Sequence, residues 1–327
     1  MSERAVKKIL AELEKIGRKS YEIARETIIR EQFEYSPLNE ALNYFMQEWR
    51  NFHHPALLAI ACKAVGGKPE KTTLIGAALV LLTGAADIHD DIIDKSKTKG
   101  SKATVYGKFG GDLSILVGDA LLFEGLMLLQ KACEDLPKEQ AKIVQELVKK
   151  GFFELGAAEA KEASFKGNWK IFPDEYLDLI KRKAAVAEAT ARIGAIMGRA
   201  NPQEVEEWGK IGRAFGMLMN IKNEFVDIFE VRELKNRRDN ESLPLPVLYA
   251  MRNLKAKEEI VRLLKKRKIS KDDAIKIANI VMSTEEVQKL KTELQGLVNE
   301  ITKGLSKYRN KDSKALIRLS ELALSDL

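Results

Sequence analysis

The 327-residue sequence predicts an all-α fold in a single domain, residues 1–327. Three observations carry this. Apolar residues recur at the 3.6-residue helical spacing along almost every segment. The eight prolines fall at the breaks between those segments. No run reads as a sheet strand, and no Gly/Ser-rich or Pro-rich linker divides the chain.

In chain order, residues 3–30 form an amphipathic helix, and Ser36-Pro37 opens a second that runs to about Arg50. Pro55 starts a third, which Gly66-Gly67 and Pro69 end as a C-cap followed by a breaker. An apolar helix follows from about Glu70. Residues 95–110, with Gly100, Gly107, Gly110 and Gly111, form the one long irregular stretch. Further helices are expected over 112–135, 138–166, 173–198 and from Asn201-Pro202 to about 235, with shorter ones to Leu327.

Composition excludes several classes. Hydrophobic residues make up 45% and charged residues 31%, the balance of a globular chain rather than a disordered one. The net charge of +7 is spread with alternating sign, and no aromatic-interleaved basic track points to nucleic acid. Cys62 and Cys133 lie in apolar helical contexts without metal spacing and read as core thiols of a reducing compartment. No secretion signal opens the sequence. The apolar run at 72–86 looks too short and too acid-capped to span a bilayer, so a soluble, cytoplasmic protein is expected.

The chemistry concentrates where that apolar run ends, in Asp87-Ile88-His89-Asp90-Asp91-Ile92-Ile93-Asp94. Asp90, Asp91 and Asp94 share one helical face, with Asp87 a turn earlier. Like charges at that spacing cost roughly 0.2–0.5 kcal/mol per pair. Acids at a helix C-terminus also oppose the macrodipole, by about 0.3–1 kcal/mol. Such a cluster wants a counter-charge. Clustered carboxylate oxygens suit a hard divalent cation such as magnesium, Mg2+; neutralisation by Lys95, Lys97 and Lys99 is the plainer alternative.

A second cluster, Asn223-Glu224-Phe225-Val226-Asp227, repeats the i, i+1, i+4 spacing on an apolar helix, and Glu230 extends its face by roughly a turn. Two facing oxygen-rich helices would clamp metal ions that hold a diphosphate. The metals would neutralise charge developing on the diphosphate as a C–O bond breaks. An apolar pocket would shelter an allylic carbocation from water.

These residues resemble the trans-isoprenyl diphosphate synthase (polyprenyl synthetase) family along essentially the whole chain. Asp90-Asp91-Ile92-Ile93-Asp94 is similar to its first aspartate-rich motif. Gly118-Asp119 and Lys183 fall where the family has its GD and KT elements. Asn220 through Asp227 occupies the place of its second motif, and Ser242-Leu243-Pro244 that of its TLP. The resemblance implies an isoprenoid-synthase helical barrel around a central apolar cavity, usually a homodimer, which uses Mg2+ and allylic isoprenoid diphosphates and makes lipid-like products that pass to membranes. It implies catalytic roles for Asp90, Asp91, Asp94 and Lys183, and metal ligation by Asp90, Asp91, Asp94, Asn223, Glu224 and Asp227.

The departures are lopsided. Where the family carries GGKRxRP, which grips isopentenyl diphosphate, this chain has Trp49-Arg50-Asn51-Phe52-His53-His54-Pro55. Asn51 stands for the Lys and His54 for the later Arg. Thr83 stands for a His, Lys99 lies in place of the paired Arg of RRG, Asn220 replaces a Gln, and Ala184 a Thr. Asn51, His54, Thr83, Lys99, Lys183 and Asn220 are the implied substrate-binding positions, and Ala85 and Ala86 leave the prenyl-tail pocket open. Each lost phosphate contact is worth about 1.5–3 kcal/mol, which argues against ordinary chain elongation. His53, His54, Arg50 and Lys99 are the candidates to replace the missing charge.

Three functions fit this pattern. One is an enzyme that ionises an allylic diphosphate without isopentenyl diphosphate, as terpene synthases do. Another is an elongating prenyltransferase with a rebuilt acceptor site. The third is a non-catalytic subunit that binds a prenyl diphosphate or pairs with an active homologue as a heterodimer.

Overall fold

The computed structural model describes residues 3–308 and 311–325. Four helices open the chain: α1 (Glu3–Arg30), α2 (Ser36–Glu48), α3 (His53–Ala64) and α4 (Thr73–Ile93), the last led in by a 3-10 turn at Pro69–Thr72. A two-residue antiparallel pair, β1 (Thr98–Lys99) and β2 (Lys102–Ala103), and the short α5 (Val105–Phe109) follow. Next come α6 (Gly111–Glu134), α7 (Lys138–Ala163), α8 (Pro173–Lys183), α9 (Ala185–Met197), α10 (Pro202–Phe229) and α11 (Val231–Asn240). The C-terminal third is α12 (Leu245–Ala250), α13 (Leu254–Leu264), α14 (Lys271–Ser283), α15 (Glu285–Ser306) and α16 (Lys311–Ser325). The all-helical expectation holds, and among the described residues the two short strands are the only departure from it.

Helix α4 is apolar on most sides because it packs on most sides, along α6, α1 and α3. Gly118 makes the α4–α6 approach possible at its functional end. A Cβ there would lie 2.4 Å from His89 Nε2, so a side chain at this position would have to displace the His89 ring. The close approach sets Asp119 Oδ1 3.3 Å from His89. With its 3-10 lead, Pro69–Ile93 is a 25-residue element whose most apolar 18-residue window has mean hydropathy 1.4. Contrary to the reading of the shorter run, it is long and apolar enough to cross a membrane, yet 67% of its most apolar window is buried inside this bundle. Burial in the bundle accounts for its apolarity.

Two expected helices break where no glycine or proline marks a break. The segment 173–198 divides at Ala184, directly after Lys183. The helix from Asn201 ends at Phe229, and Glu230 adopts an extended conformation (φ −94°, ψ 104°). Glu230 therefore does not extend the acidic face of α10, as the helical spacing implied; it is the exposed hinge from which α11 folds back. Cys62 and Cys133 are buried free thiols, as expected of core residues.

Candidate active site

A cavity of about 690 Å³ opens between α1, α3, α4, α7, α9, α10 and α16. Leu57, Phe152, Leu155, Phe215, Met219 and Leu319 supply apolar wall. One polar end is formed by Asp87, His89 and Asp90 from α4 with Glu159 from α7 and Lys183 from α8. Asn51, His53, His54, Lys222 and Asn223 supply further polar lining. Thr83, Ala86 and Asn220 also line the space. Ala85 does not; it is buried in the packing core of α4.

The α4 end is short of cations. Asp90 Oδ1 is buried and has no hydrogen-bond partner, the state of an oxygen waiting for a positive ligand. Burial and the neighbouring Asp90 carboxylate, with Glu241 and Glu162 behind, push Asp94 up to about 9. Burial, opposed by Lys99 and reinforced by Asp87, raises Asp91 to about 7. Glu159 rises to about 8, because burial outweighs its Lys183 partner. Lys183 bonds Glu159 Oε2 at 2.9 Å and also pairs with Glu162. Burial depresses its ammonium, but Glu162, Glu159 and Asp90 more than offset that and hold it well above the usual lysine value. Lys183 closes α8, where a cation also complements the macrodipole.

Lys99 does not face the cavity. Its Nζ lies 2.7 Å from Asp87 and 3.0 Å from Asp91, both on α4. The lysine alternative is thus realised for these two acids, while Asp90 is near enough to feel the Lys99 charge but is not bonded to it. Asp91, 4% exposed, pairs with Lys99, and neither Asp91 nor Asp94 is among the residues that line the cavity, as Asp87 and Asp90 are.

The second acidic face is built differently. Both Glu224 oxygens lie against Arg237 Nη2, at 2.7 and 2.6 Å, and one also accepts from the Leu245 amide (2.8 Å); Tyr176 Oη stands 3.2 Å off and donates to Glu162 at 2.5 Å. Arg237 Nη1 bonds Glu241 (2.8 Å), and its Nε stands 3.9 Å from Asp227. Asp227 is raised to about 7, since burial exceeds the help from Arg237. Asn236 Nδ2 stitches the two faces together by donating to the Asp94 carbonyl (3.1 Å) and to Glu241 (2.5 Å). Asp94 and Asp227 both feel the Glu241 charge, so the two clusters do converge.

Does this donor set fit magnesium? Among the described residues no three Asp, Glu, His or Cys side chains form a ready-made cage. That suits Mg2+, which is usually bound through one or two carboxylates plus substrate phosphates rather than in an all-protein site. The partnerless Asp90 oxygen on α4 fits such sharing. On α10 the fit fails for Glu224, whose oxygens are already engaged.

In the polar lining near Lys222 the histidines do not replace the missing charge. Burial, with His53 nearby, pushes His54 down to about 4, and burial and Lys222 depress His53. Both are neutral near pH 7. The Asn51 Oδ1 accepts from the His53 amide (2.9 Å) and lies 3.1 Å from His53 Nδ1, so it orients that ring. His54 Nδ1 meets Thr190 Oγ1 at 3.2 Å; that hydroxyl donates to Val186, which leaves its lone pair for a proton on Nδ1. Arg50 is exposed and donates to the Gln47 carbonyl. Thr83 turns its hydroxyl back to the Leu79 carbonyl. Lys222, which the sequence reading passed over, is the cation that lines this region. Glu159, Glu162, Tyr176, Arg237 and Glu241 were also missed. Only Lys222 carried a local signal, its place between Asn220 and Asn223.

The fold matches the geranylgeranyl pyrophosphate synthetase of Pyrococcus horikoshii with a TM-score of 0.81 at 21% identity, covering 98% of this chain and 99% of that one. It also matches a polyprenyl synthase from Caulobacter crescentus, solved with calcium and isoprenyl diphosphate, with a TM-score of 0.79 at 16% identity, covering 96% and 97%. The polyprenyl synthetase family model matches residues 36–281, and the chain belongs to that family. The geranylgeranyl diphosphate synthase of Sulfolobus acidocaldarius is 29% identical over 224 residues, which span 68% of this chain and 64% of that relative.

Proposed function

We propose that this protein binds an allylic prenyl diphosphate through Mg2+ at the α4 end of the cavity and ionises or transfers the prenyl group. The observation that carries the reading is the buried, partnerless Asp90 oxygen at the mouth of an apolar cavity. A bound divalent cation would neutralise the charge that develops on the diphosphate as the C–O bond breaks and its electron pair moves to oxygen. Asp90 and Asp94 would hold that cation. Lys183 would add a fixed positive charge beside the leaving group. Phe152, Leu155, Phe215 and Met219 would exclude water from the allylic cation. Ala86 leaves room for the tail. The relative from Sulfolobus and the Caulobacter structure, by what they are named to make or bind, support the same ligand class.

The acceptor end, neutral apart from Lys222, favours weak use of isopentenyl diphosphate. The test incubates purified protein and Mg2+ with geranyl, farnesyl or geranylgeranyl diphosphate, with and without isopentenyl diphosphate, and follows pyrophosphate release and extracted products. Release without isopentenyl diphosphate is the expected result. Efficient elongation would show a working acceptor site. Absence of both binding and release would overturn the reading, and turnover that appears only beside an active homologue would make this chain a subunit.

A homodimer belongs to the same proposal. On α6, Leu116, Phe123 and Met127 are 52%, 69% and 59% exposed, an apolar stripe at helical spacing that a second copy of this chain would cover. Light scattering that gives a monomer mass at micromolar concentration would contradict it.

A further inference from the structure

The second acidic face has an occupant already. We propose that the Arg237 guanidinium is its permanent cation, standing where Glu224 and Asp227 would otherwise take a metal ion, so that divalent cations are held by the α4 carboxylates alone. This rests on the reading that the α4 end binds metal and diphosphate.

Glu224 is buried and paired with Arg237, whose Nη2 lies 2.7 and 2.6 Å from its two oxygens, and it accepts from the Leu245 amide at 2.8 Å. The one Tyr176 hydroxyl proton goes to Glu162, 2.5 Å away. A metal ion would have to break buried hydrogen bonds that the cavity offers nothing to replace. Arg237 is itself 7% exposed and reaches Glu241 at 2.8 Å and Tyr176 Oη at 2.8 Å, with Glu162 at 3.8 Å. Its Nε has no hydrogen-bond partner and faces Asp227 at 3.9 Å, so the same cation also stands beside the remaining acid of the face.

Backbone geometry fixes this arrangement. The extended Glu230 ends α10 and turns α11 back, which carries Arg237 over Glu224, thirteen residues earlier in the chain. A guanidinium suits the position because it is always charged and its planar donors serve several carboxylates at once. It neutralises the face without coming or going with substrate.

The test counts bound Mn2+ by electron paramagnetic resonance on the full chain with inorganic pyrophosphate present. Glu224→Gln should bind the same number of Mn2+ ions as the unmodified protein, with Kd within twofold. Loss of one Mn2+ per chain, or a tenfold weaker Kd in folded Glu224→Gln, would overturn the proposal. Asp227→Asn asks the same question should Glu224→Gln fail to fold. Arg237→Gln, where circular dichroism shows it folded, should gain one Mn2+ per chain, and no gain would also count against the proposal. Asp90→Asn separates this idea from the one beneath it. If that variant keeps its Mn2+, the α4 reading has failed, whereas a change confined to Glu224→Gln refutes only the role of Arg237.

Discussion

The two acidic faces look alike in sequence and differ in what balances them. On α4, Lys99 takes Asp87 and Asp91, while Asp90 keeps a buried oxygen with no partner and Asp94 is driven up to about 9. On α10, Arg237 pairs with Glu224 and stands 3.9 Å from Asp227. The same i, i+1, i+4 spacing thus gives one face open to an incoming cation and one already closed. Spacing places carboxylates together; the rest of the fold decides whether they are free to bind.

The largest expected effects separate the faces directly. Asp90→Asn or Asp94→Asn should weaken Mg2+-dependent pyrophosphate binding by about 100-fold or more, since even outer-shell changes cost 10–100-fold. Calorimetric titration measures the loss, and an unchanged helical circular dichroism spectrum shows that the fold survives. Arg237→Met should do the reverse. It leaves Glu224 and Glu241 buried without their cation and should destabilise the protein by about 3–5 kcal/mol in denaturant titration. A small effect there would mean that α10 is not closed by Arg237.

Lys222 sharpens the contrast at the acceptor end. Lys222→Met removes the cation that lines this region and should weaken binding of isopentenyl diphosphate by about 10–100-fold, the worth of one charge-assisted hydrogen bond. Equilibrium binding of the labelled diphosphate checks it. Ala86→Phe fills the cavity wall and should lower turnover of the longest accepted allylic diphosphate about tenfold relative to a shorter one. Competing substrates in one assay give that ratio.

How much of this was legible beforehand follows from what sequence encodes locally. Periodicity and prolines placed most helices, and the Asp90–Asp94 run pointed to the cavity end where the structure puts Asp90. The breaks at Ala184 and Glu230 were invisible because neither carries a turn-forming residue; tertiary packing imposes them. The Arg237 network was unreadable for the same reason. An arginine in the highly charged Val231–Asn240 helix looks like a surface residue until α11 is known to fold back. Glu159 and Glu162 likewise read as solvent-facing charges until Lys183, on the next helix, is placed between them.

The smallest expected effect is in pH. Asp94, Asp91 and Glu159 have folded values of about 9, 7 and 8, above the unfolded carboxylate range near 4. Their protonated forms therefore favour folding. That contribution is complete below about pH 4 and is lost as pH rises through 7 to 9. The metal-free protein should have a lower Tm at pH 9 than at pH 5. Added Mg2+ should restore more at pH 9 than at pH 5, because it competes with protons for the same oxygens. Differential scanning calorimetry at fixed ionic strength measures both.

Anomalous scattering from crystals grown with Mn2+ and inorganic pyrophosphate tests the central claim most directly. The account predicts manganese peaks within coordinating distance of Asp90 and Asp94, bridged to the diphosphate, and none on Glu224, which stays paired with Arg237. Manganese bound to Glu224, or no peak at Asp90 while pyrophosphate occupies the cavity, would contradict it.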